Sequence, residues 1–129
     1  MILYVDSSAA VKLVVEEPES TALADHLDDL GPDTDLLSSA LLETELRRLA
    51  VRLHLPQTLV SQVLSRVSLV EPNRSICREA GILPGSGLRI LDALHVATAL
   101  RLDASAVLAY DRRLLGSARD LGFDVSSPS

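Results

Sequence analysis

The sequence predicts an α/β protein whose central parallel sheet is covered by helices on both faces. Short apolar stretches alternate along the chain with longer segments in which apolar residues recur at helical spacing. The first stretch, residues 2–5, is apolar throughout, which is typical of a strand buried on both faces. A chain of 129 residues has the length of one domain, so we expect a single domain over 1–129.

The first half of the chain predicts three strands and four helices. Ser7 and Ser8 are good N-cap residues after the first strand, Gly31 ends the second helix, and Pro56 opens the fourth. In chain order we expect a strand over 2–5, a helix from residue 7, a helix ending near 30, a strand over 35–38, a helix over 39–53, a helix from 56 and a strand over 68–71.

The second half predicts three helices and two strands. The segment 88–100 is apolar around almost its whole circumference, so we expect a helix buried in the core. Gly122 suits the end of the last helix. In chain order we expect a helix over 74–83, a loop over 84–87, the buried helix, a strand over 105–109, a helix over 112–121 and a strand over 123–125.

Composition narrows the class of protein. The formal charge of −6 argues against binding of nucleic acid by general electrostatic attraction, although a site built from acids and divalent cations is compatible with it. Tyr and Phe total three residues, too few for rows of stacked bases.

No apolar run approaches membrane-spanning length and no secretory signal is visible, so we expect a cytoplasmic protein without membrane contact. We expect disorder at 126–129.

Three aspartates stand at informative positions. Asp6 and Asp111 each directly follow a predicted buried strand, and a parallel sheet delivers such residues to one edge. Asp92 lies in the apolar helix, where a charge is costly unless it is paired or bound to metal. The structural alternatives are that Asp6 only caps a helix and that Asp92 only stabilises a helix dipole.

The helix over 39–53 offers two further acids. Glu43 has Ser39 and Arg47 one turn away on either side, which indicates a solvated face and a surface ion pair. Glu45 has leucines at the same offsets, so it should lie against the core. We therefore expect Glu45 to be the functional acid and keep Glu43 as the alternative.

Four acids in one cleft would repel one another unless a cation held them together. Oxygen-only ligation favours Mg²⁺ or Mn²⁺ over zinc. His95, one helical turn from Asp92, is either a further ligand or a hydrogen-bonded core residue, and the sequence has no Cys or His cluster for zinc.

Four segments in the right order resemble the PIN domain of VapC-type toxin ribonucleases. They begin at Asp6, at Ser38, at Leu88 and at Tyr110, and together they cover essentially the whole chain. The segments read DSSAAVKL, SS with ELRR further on, LRILDALHVATA, and YDRRL followed by GFDV.

This resemblance implies a three-layer α/β/α sandwich around a parallel sheet of four to five strands. It places the metal-binding acids on Asp6, Glu45, Asp92 and Asp111. The implied activity is that of a Mg²⁺- or Mn²⁺-dependent endoribonuclease, the toxin of a type II toxin–antitoxin pair, which hydrolyses RNA to inhibit translation and growth. The implied partners are a VapB-type antitoxin and a second copy of the chain.

The chain departs from the family at Ala109, where many members have Thr or Ser two residues before the last acid. Ser7 or Ser8 is expected to supply the missing support, and Arg89 is a candidate contact for the substrate phosphate.

Two alternative functions stay open. A phosphoacceptor domain of the response-regulator kind expects paired acids after the first strand and a final Lys, neither of which is present; a catalytically silent PIN-like binding module would fit Ala109.

Overall fold

The computed structural model describes residues 1–129 and contains five strands and seven helices. Every element predicted from the sequence is present, with small shifts at the ends; the strand predicted over 105–109, for example, is Ala106–Leu108. The strands are β1 (Ile2–Val5), β2 (Asp35–Ser39), β3 (Ser68–Val70), β4 (Ala106–Leu108) and β5 (Asp124–Ser126). The helices are α1 (Ser7–Val14), α2 (Ser20–Asp28), α3 (Leu41–Leu53), α4 (Gln57–Leu64), α5 (Arg74–Gly81), α6 (Ile90–Arg101) and α7 (Arg112–Asp120).

The five strands form one parallel sheet in the order β3-β2-β1-β4-β5. From the central β1 the chain builds outward through β2 and β3, and it then crosses to the other side for β4 and β5. The direction of winding therefore reverses between β1 and β4. In open α/β sheets, ligands bind in the crevice beyond the carboxyl ends of the strands at this reversal.

Helices cover both faces of the sheet, which confirms the predicted three-layer architecture. Successive side chains of a strand point to opposite faces. Accordingly, Leu3 and Val5 pack in a cluster with residues of α1 to α4, whereas Tyr4 packs in a second cluster with residues of α6 and α7. Helix α5 joins α6 through a smaller cluster around Ile76.

The C-terminal residues 126–129, which composition marked for disorder, lie against the end of β4. Ser126 belongs to β5, and the Ser127 hydroxyl donates a hydrogen bond of 2.5 Å to the carbonyl of Ala109. The Tyr110 hydroxyl donates to the carbonyl of Pro128 at 2.5 Å. None of the seven helices combines the length and apolar character needed to span a bilayer.

Candidate active site

Asp6 lies at the carboxyl end of β1 and is 2 % exposed. Its Oδ2 accepts hydrogen bonds from the backbone N–H of Ser8 at 3.1 Å and from the Ser8 hydroxyl at 2.5 Å, so Asp6 is the N-cap of α1. Its Oδ1 is buried and has no hydrogen-bond partner. Capping therefore accounts for one oxygen only. The other is a buried polar atom without a hydrogen bond, which costs free energy that a bound ligand would offset.

Asp111 occupies the equivalent position after β4. Its Oδ1 accepts hydrogen bonds from the N–H groups of Arg113 at 2.9 Å and Leu114 at 3.1 Å, which makes it the N-cap of α7. The Ser8 hydroxyl, which donates to Asp6, also accepts from the N–H groups of Tyr110 at 2.9 Å and Asp111 at 3.2 Å. Ser8 thus joins the ends of β1 and β4 at the point where the winding reverses.

Asp92 lies in the first turn of α6, and its Oδ2 is the second buried carboxylate oxygen without a partner. Burial raises the pKa of Asp92, and the negative charges of Asp111 and Asp6 raise it further. The backbone and the charge of Arg89 oppose this shift. The three aspartates therefore act on one another electrostatically across the crevice.

The two glutamates of α3 have different environments. Glu43 is half exposed and forms an ion pair of 2.8 Å with Arg47 one turn along the helix. Glu45 is turned inward, and its Oε1 lies 2.7 Å from Nε2 of His95. The contacts of Glu43 are those of a surface residue, and only Glu45 reaches the interior.

His95 is 1 % exposed, and its other ring nitrogen, Nδ1, lies 2.7 Å from the hydroxyl of Tyr4. Burial lowers the pKa of His95, but the hydrogen bond to Glu45 and the charges of nearby acids outweigh that effect and raise it overall. Because both ring nitrogens have partners, His95 is a hydrogen-bonded core residue and has no nitrogen free for a metal.

The donor chemistry of the crevice fits a hard divalent cation. Asp6 and Asp92 each direct one buried oxygen without a partner into the protein, and carboxylate oxygens are the ligands that Mg²⁺ and Mn²⁺ prefer. No three acidic, histidine or cysteine side chains are already close enough to form a metal-binding cluster.

Unpaired arginines lie beside the acids. Arg89, at the N-cap of α6, is exposed, and so are Arg112 and Arg113 at the start of α7, directly after Asp111. The last two line a cavity of about 440 Å³ together with Asp120 and with residues of the loop before α6 and of α7. Lys12, in contrast, is paired with Glu19 at 2.9 Å and with Glu17. Arg89, Arg112 and Arg113 thus place unpaired positive charge beside Asp92 and Asp111.

Sequence reasoning missed two contributors to this region. Tyr4 was expected only to fill a buried strand, and nothing in its local sequence indicates a hydrogen bond to a residue 91 positions away. Ser8 was expected to support the acids, but its role as acceptor for two N–H groups after β4 was not foreseen. Ser7 makes no side-chain hydrogen bond, so of the two serines only Ser8 is bonded to Asp6.

Comparisons with known proteins identify the family of this chain. Residues 3–119 match the PIN domain family. The ribonuclease VapC35 of Mycobacterium tuberculosis is 41 % identical over 133 residues, which cover 98 % of this chain and 97 % of the relative.

Solved structures show the same fold. VapBC2 from Rickettsia felis, solved with a DNA fragment from its promoter, superposes with a TM-score of 0.76 at 14 % identity and covers 100 % of both chains. VapC20 of Mycobacterium tuberculosis, described as a toxin that cleaves the sarcin-ricin loop, gives a TM-score of 0.76 at 16 % identity, with 98 % of this chain and 99 % of the other covered.

Proposed function

Because this chain belongs to the PIN-domain family of VapC-type ribonucleases, we propose that it is a Mg²⁺- or Mn²⁺-dependent endoribonuclease and the toxin of a type II toxin–antitoxin pair. The observation that carries this proposal is the pair of buried carboxylate oxygens without partners, on Asp6 and Asp92, beside the reversal point of the sheet. A purely structural acid has no reason to keep an orphaned oxygen there.

We assign the metal to Asp6, Glu45, Asp92 and Asp111. When bound, the ion would polarise an RNA phosphodiester and activate water for in-line attack, leaving 5′-phosphate and 3′-hydroxyl ends. The chain itself supplies the preorganisation. Ser8 and the two helix caps hold one oxygen each of Asp6 and Asp111, so the second oxygen keeps a fixed direction. We assign to the Ser8 hydroxyl the support of the site that Thr or Ser gives many family members at the position of Ala109.

RNA approaches this acidic site through local positive charge. Arg89 lies next to Asp92, and Arg112 and Arg113 follow Asp111 directly, with no acid paired to any of the three. A guanidinium binds phosphate by two parallel hydrogen bonds. We therefore assign Arg112 and Arg113, which line the cavity beside α7, to phosphates that flank the scissile bond, and Arg89 to the scissile phosphate or its neighbour.

A VapB-type antitoxin is the proposed partner, in line with the VapBC pair from Rickettsia felis. The orphaned oxygens that suit a cation also suit a basic side chain of an inhibitor, which would fill the site and satisfy them.

We also propose a homodimer. The Leu- and Val-rich helices within 39–68 offer one surface for a second copy, and α3 exposes Val51 and Leu53 there. The most exposed large apolar side chains lie on another surface, near the end of α5 and at the start of α6, where Ile90 is 80 % and Ile82 is 78 % exposed. An apolar cavity of about 450 Å³ adjoins it. We assign this second surface to the dimer, because surfaces of this kind mark interaction sites.

Cleavage of total cellular RNA by the purified protein tests the function. With Mg²⁺ we expect discrete fragments that carry 5′-phosphates, and both EDTA and Asp92→Asn should abolish them. Equal cleavage by wild type and Asp92→Asn, or no cleavage by either, would contradict the four-acid site and favour a binding role. The Glu43→Gln variant is the matched control, since Glu43 pairs only with surface groups.

A further inference from the structure

A chain of buried hydrogen bonds ends on the carboxylate of Glu45. The backbone N–H of Ser39 donates to the Tyr4 hydroxyl at 3.1 Å, the hydroxyl lies 2.7 Å from Nδ1 of His95, and Nε2 of His95 lies 2.7 Å from Glu45 Oε1. This series of hydrogen bonds crosses the sheet, because it connects β2, β1, α6 and α3. Tyr4 and His95 are each 1 % exposed, so the contact between them is shielded from water.

The chemistry of the groups fixes the direction of the bond to Glu45. An ionised carboxylate can only accept, so Nε2 of His95 must carry the hydrogen. The Tyr4 oxygen accepts from Ser39, and its own O–H is free to donate to Nδ1. Each donor in this chain then has an acceptor, and Nε2–H points at Glu45. A tautomer with the hydrogen only on Nδ1 would instead place two acceptors against each other at 2.7 Å.

We propose that His95 is the positioning residue for Glu45 and that Tyr4 holds the imidazole with Nε2–H directed at the carboxylate. The inference rests on the proposed function, because it takes Glu45 as a metal ligand. Of the four acids, Glu45 alone lacks a helix cap or a short side chain to fix it, and its side chain is 21 % exposed. Since His95 lies one turn from Asp92 on α6, the contact also ties α3 to the helix that carries another site acid.

Three variants test the proposal. His95→Gln keeps an N–H donor near the position of Nε2, whereas His95→Leu keeps only the bulk. Val96→Ala, a change in a neighbouring buried residue that packs in the same apolar cluster as Tyr4, is the control for lost packing. The readouts are the Mn²⁺ dissociation constant by titration calorimetry, the ¹⁵N resonances of the imidazole rings, and the rate of RNA cleavage. The chain has only three histidines, so His95 can be assigned by its loss in the variants.

We expect His95→Leu to weaken Mn²⁺ binding by roughly 10- to 100-fold, as is usual when the support of a metal ligand is removed. His95→Gln should recover most of that loss, and Val96→Ala should leave it unchanged. In the wild-type spectrum, Nε2 of His95 should be protonated.

An unprotonated Nε2, or Mn²⁺ affinity in His95→Leu equal to that of wild type, would overturn the inference. Glu45→Gln separates this failure from failure of the proposed function. If Glu45→Gln weakens Mn²⁺ binding and His95→Leu does not, only the positioning role of His95 is refuted. If Glu45→Gln and Asp92→Asn both bind Mn²⁺ like wild type, the metal site itself is wrong, and the inference falls with it.

Discussion

The Ser8 hydroxyl lies 2.5 Å from the Asp6 carboxylate and is the link between that acid and the end of β4. It donates to Asp6 while accepting two backbone N–H groups, from Tyr110 and Asp111. This oxygen atom therefore joins the two strand ends that carry candidate site acids, beyond the last main-chain hydrogen bond between them, which runs from the Asp6 N–H to the Leu108 carbonyl at 3.0 Å. The register of β1 with β4 ends at Val5 and Leu108, and Ser8 extends the connection to residues 110 and 111.

Ser8→Ala is expected to reduce both activity and stability. Asp6 loses its shortest hydrogen bond, and two N–H groups lose their acceptor, so we expect a loss of roughly 10- to 100-fold in kcat/KM and about 1–3 kcal/mol in the free energy of unfolding. RNA cleavage with Mn²⁺ and urea unfolding measure the two effects. Ser7→Ala is the matched control, because Ser7 makes no side-chain hydrogen bond; equal behaviour of the two variants would refute the role of Ser8.

Asp92→Asn should abolish cleavage and yet stabilise the metal-free protein at neutral pH. Burial, together with the charges of Asp111 and Asp6, raises the pKa of Asp92 in the folded state, so ionising this group costs folding free energy. That cost is absent below the ordinary pKa of 3.8 and develops as the pH rises through the raised value. The melting temperature of the variant should therefore exceed that of wild type at neutral pH, with the difference vanishing near pH 3.8.

Mg²⁺ should reverse this order of stability. Wild type should gain roughly 2.7 kcal/mol when Mg²⁺ is present at about 100 times its dissociation constant. Asp92→Asn should gain far less, because a neutral amide replaces one of the ionic ligands. Thermal melts in Mg²⁺ and in EDTA provide the measurement, and an equal Mg²⁺ response of both proteins would rule out Asp92 as a ligand.

Replacing Arg112 and Arg113 together by Ala should raise KM for RNA with a smaller effect on kcat. If each guanidinium contacts one phosphate, the slope of log KM against log salt should become shallower by about 0.7 for each arginine removed. Arg52→Ala is the control, since Arg52 is also exposed and unpaired but lies in the last turn of α3, away from the strand ends that carry the acids. An unchanged salt dependence in the double variant would exclude phosphate contact.

Ile90→Glu should convert a dimer to a monomer, because it places a charge in the centre of the exposed apolar surface at the start of α6. Light scattering after gel filtration at micromolar concentration gives the mass. Val51→Glu tests the competing surface on α3, where Val51 is 51 % exposed. Dissociation by Val51→Glu alone would assign the dimer to α3, and a monomeric wild type would exclude both surfaces.

Much of the fold could be read from local patterns. Burial on both faces makes strands such as residues 2–5 apolar throughout, and the helical period separated the surface acid Glu43 from the inward Glu45 without any tertiary information. The delivery of Asp6 and Asp111 to one edge followed because parallel strands end on the same side. These features depend on neighbours a few residues away or on a general property of parallel sheets, so sequence carries them directly.

Tertiary structure alone decided which groups contact the acids. The bonds from Tyr4 to His95 and from His95 to Glu45 join residues 91 and 50 positions apart, and the Ser8 hydroxyl accepts from N–H groups more than a hundred positions away. No local pattern encodes such pairs, because a hydroxyl or an imidazole forms equally good hydrogen bonds with many partners. The order of the strands determines which partner is within reach. The sequence by itself therefore determined which acids are candidates for the site, and packing across the sheet decided how they are held.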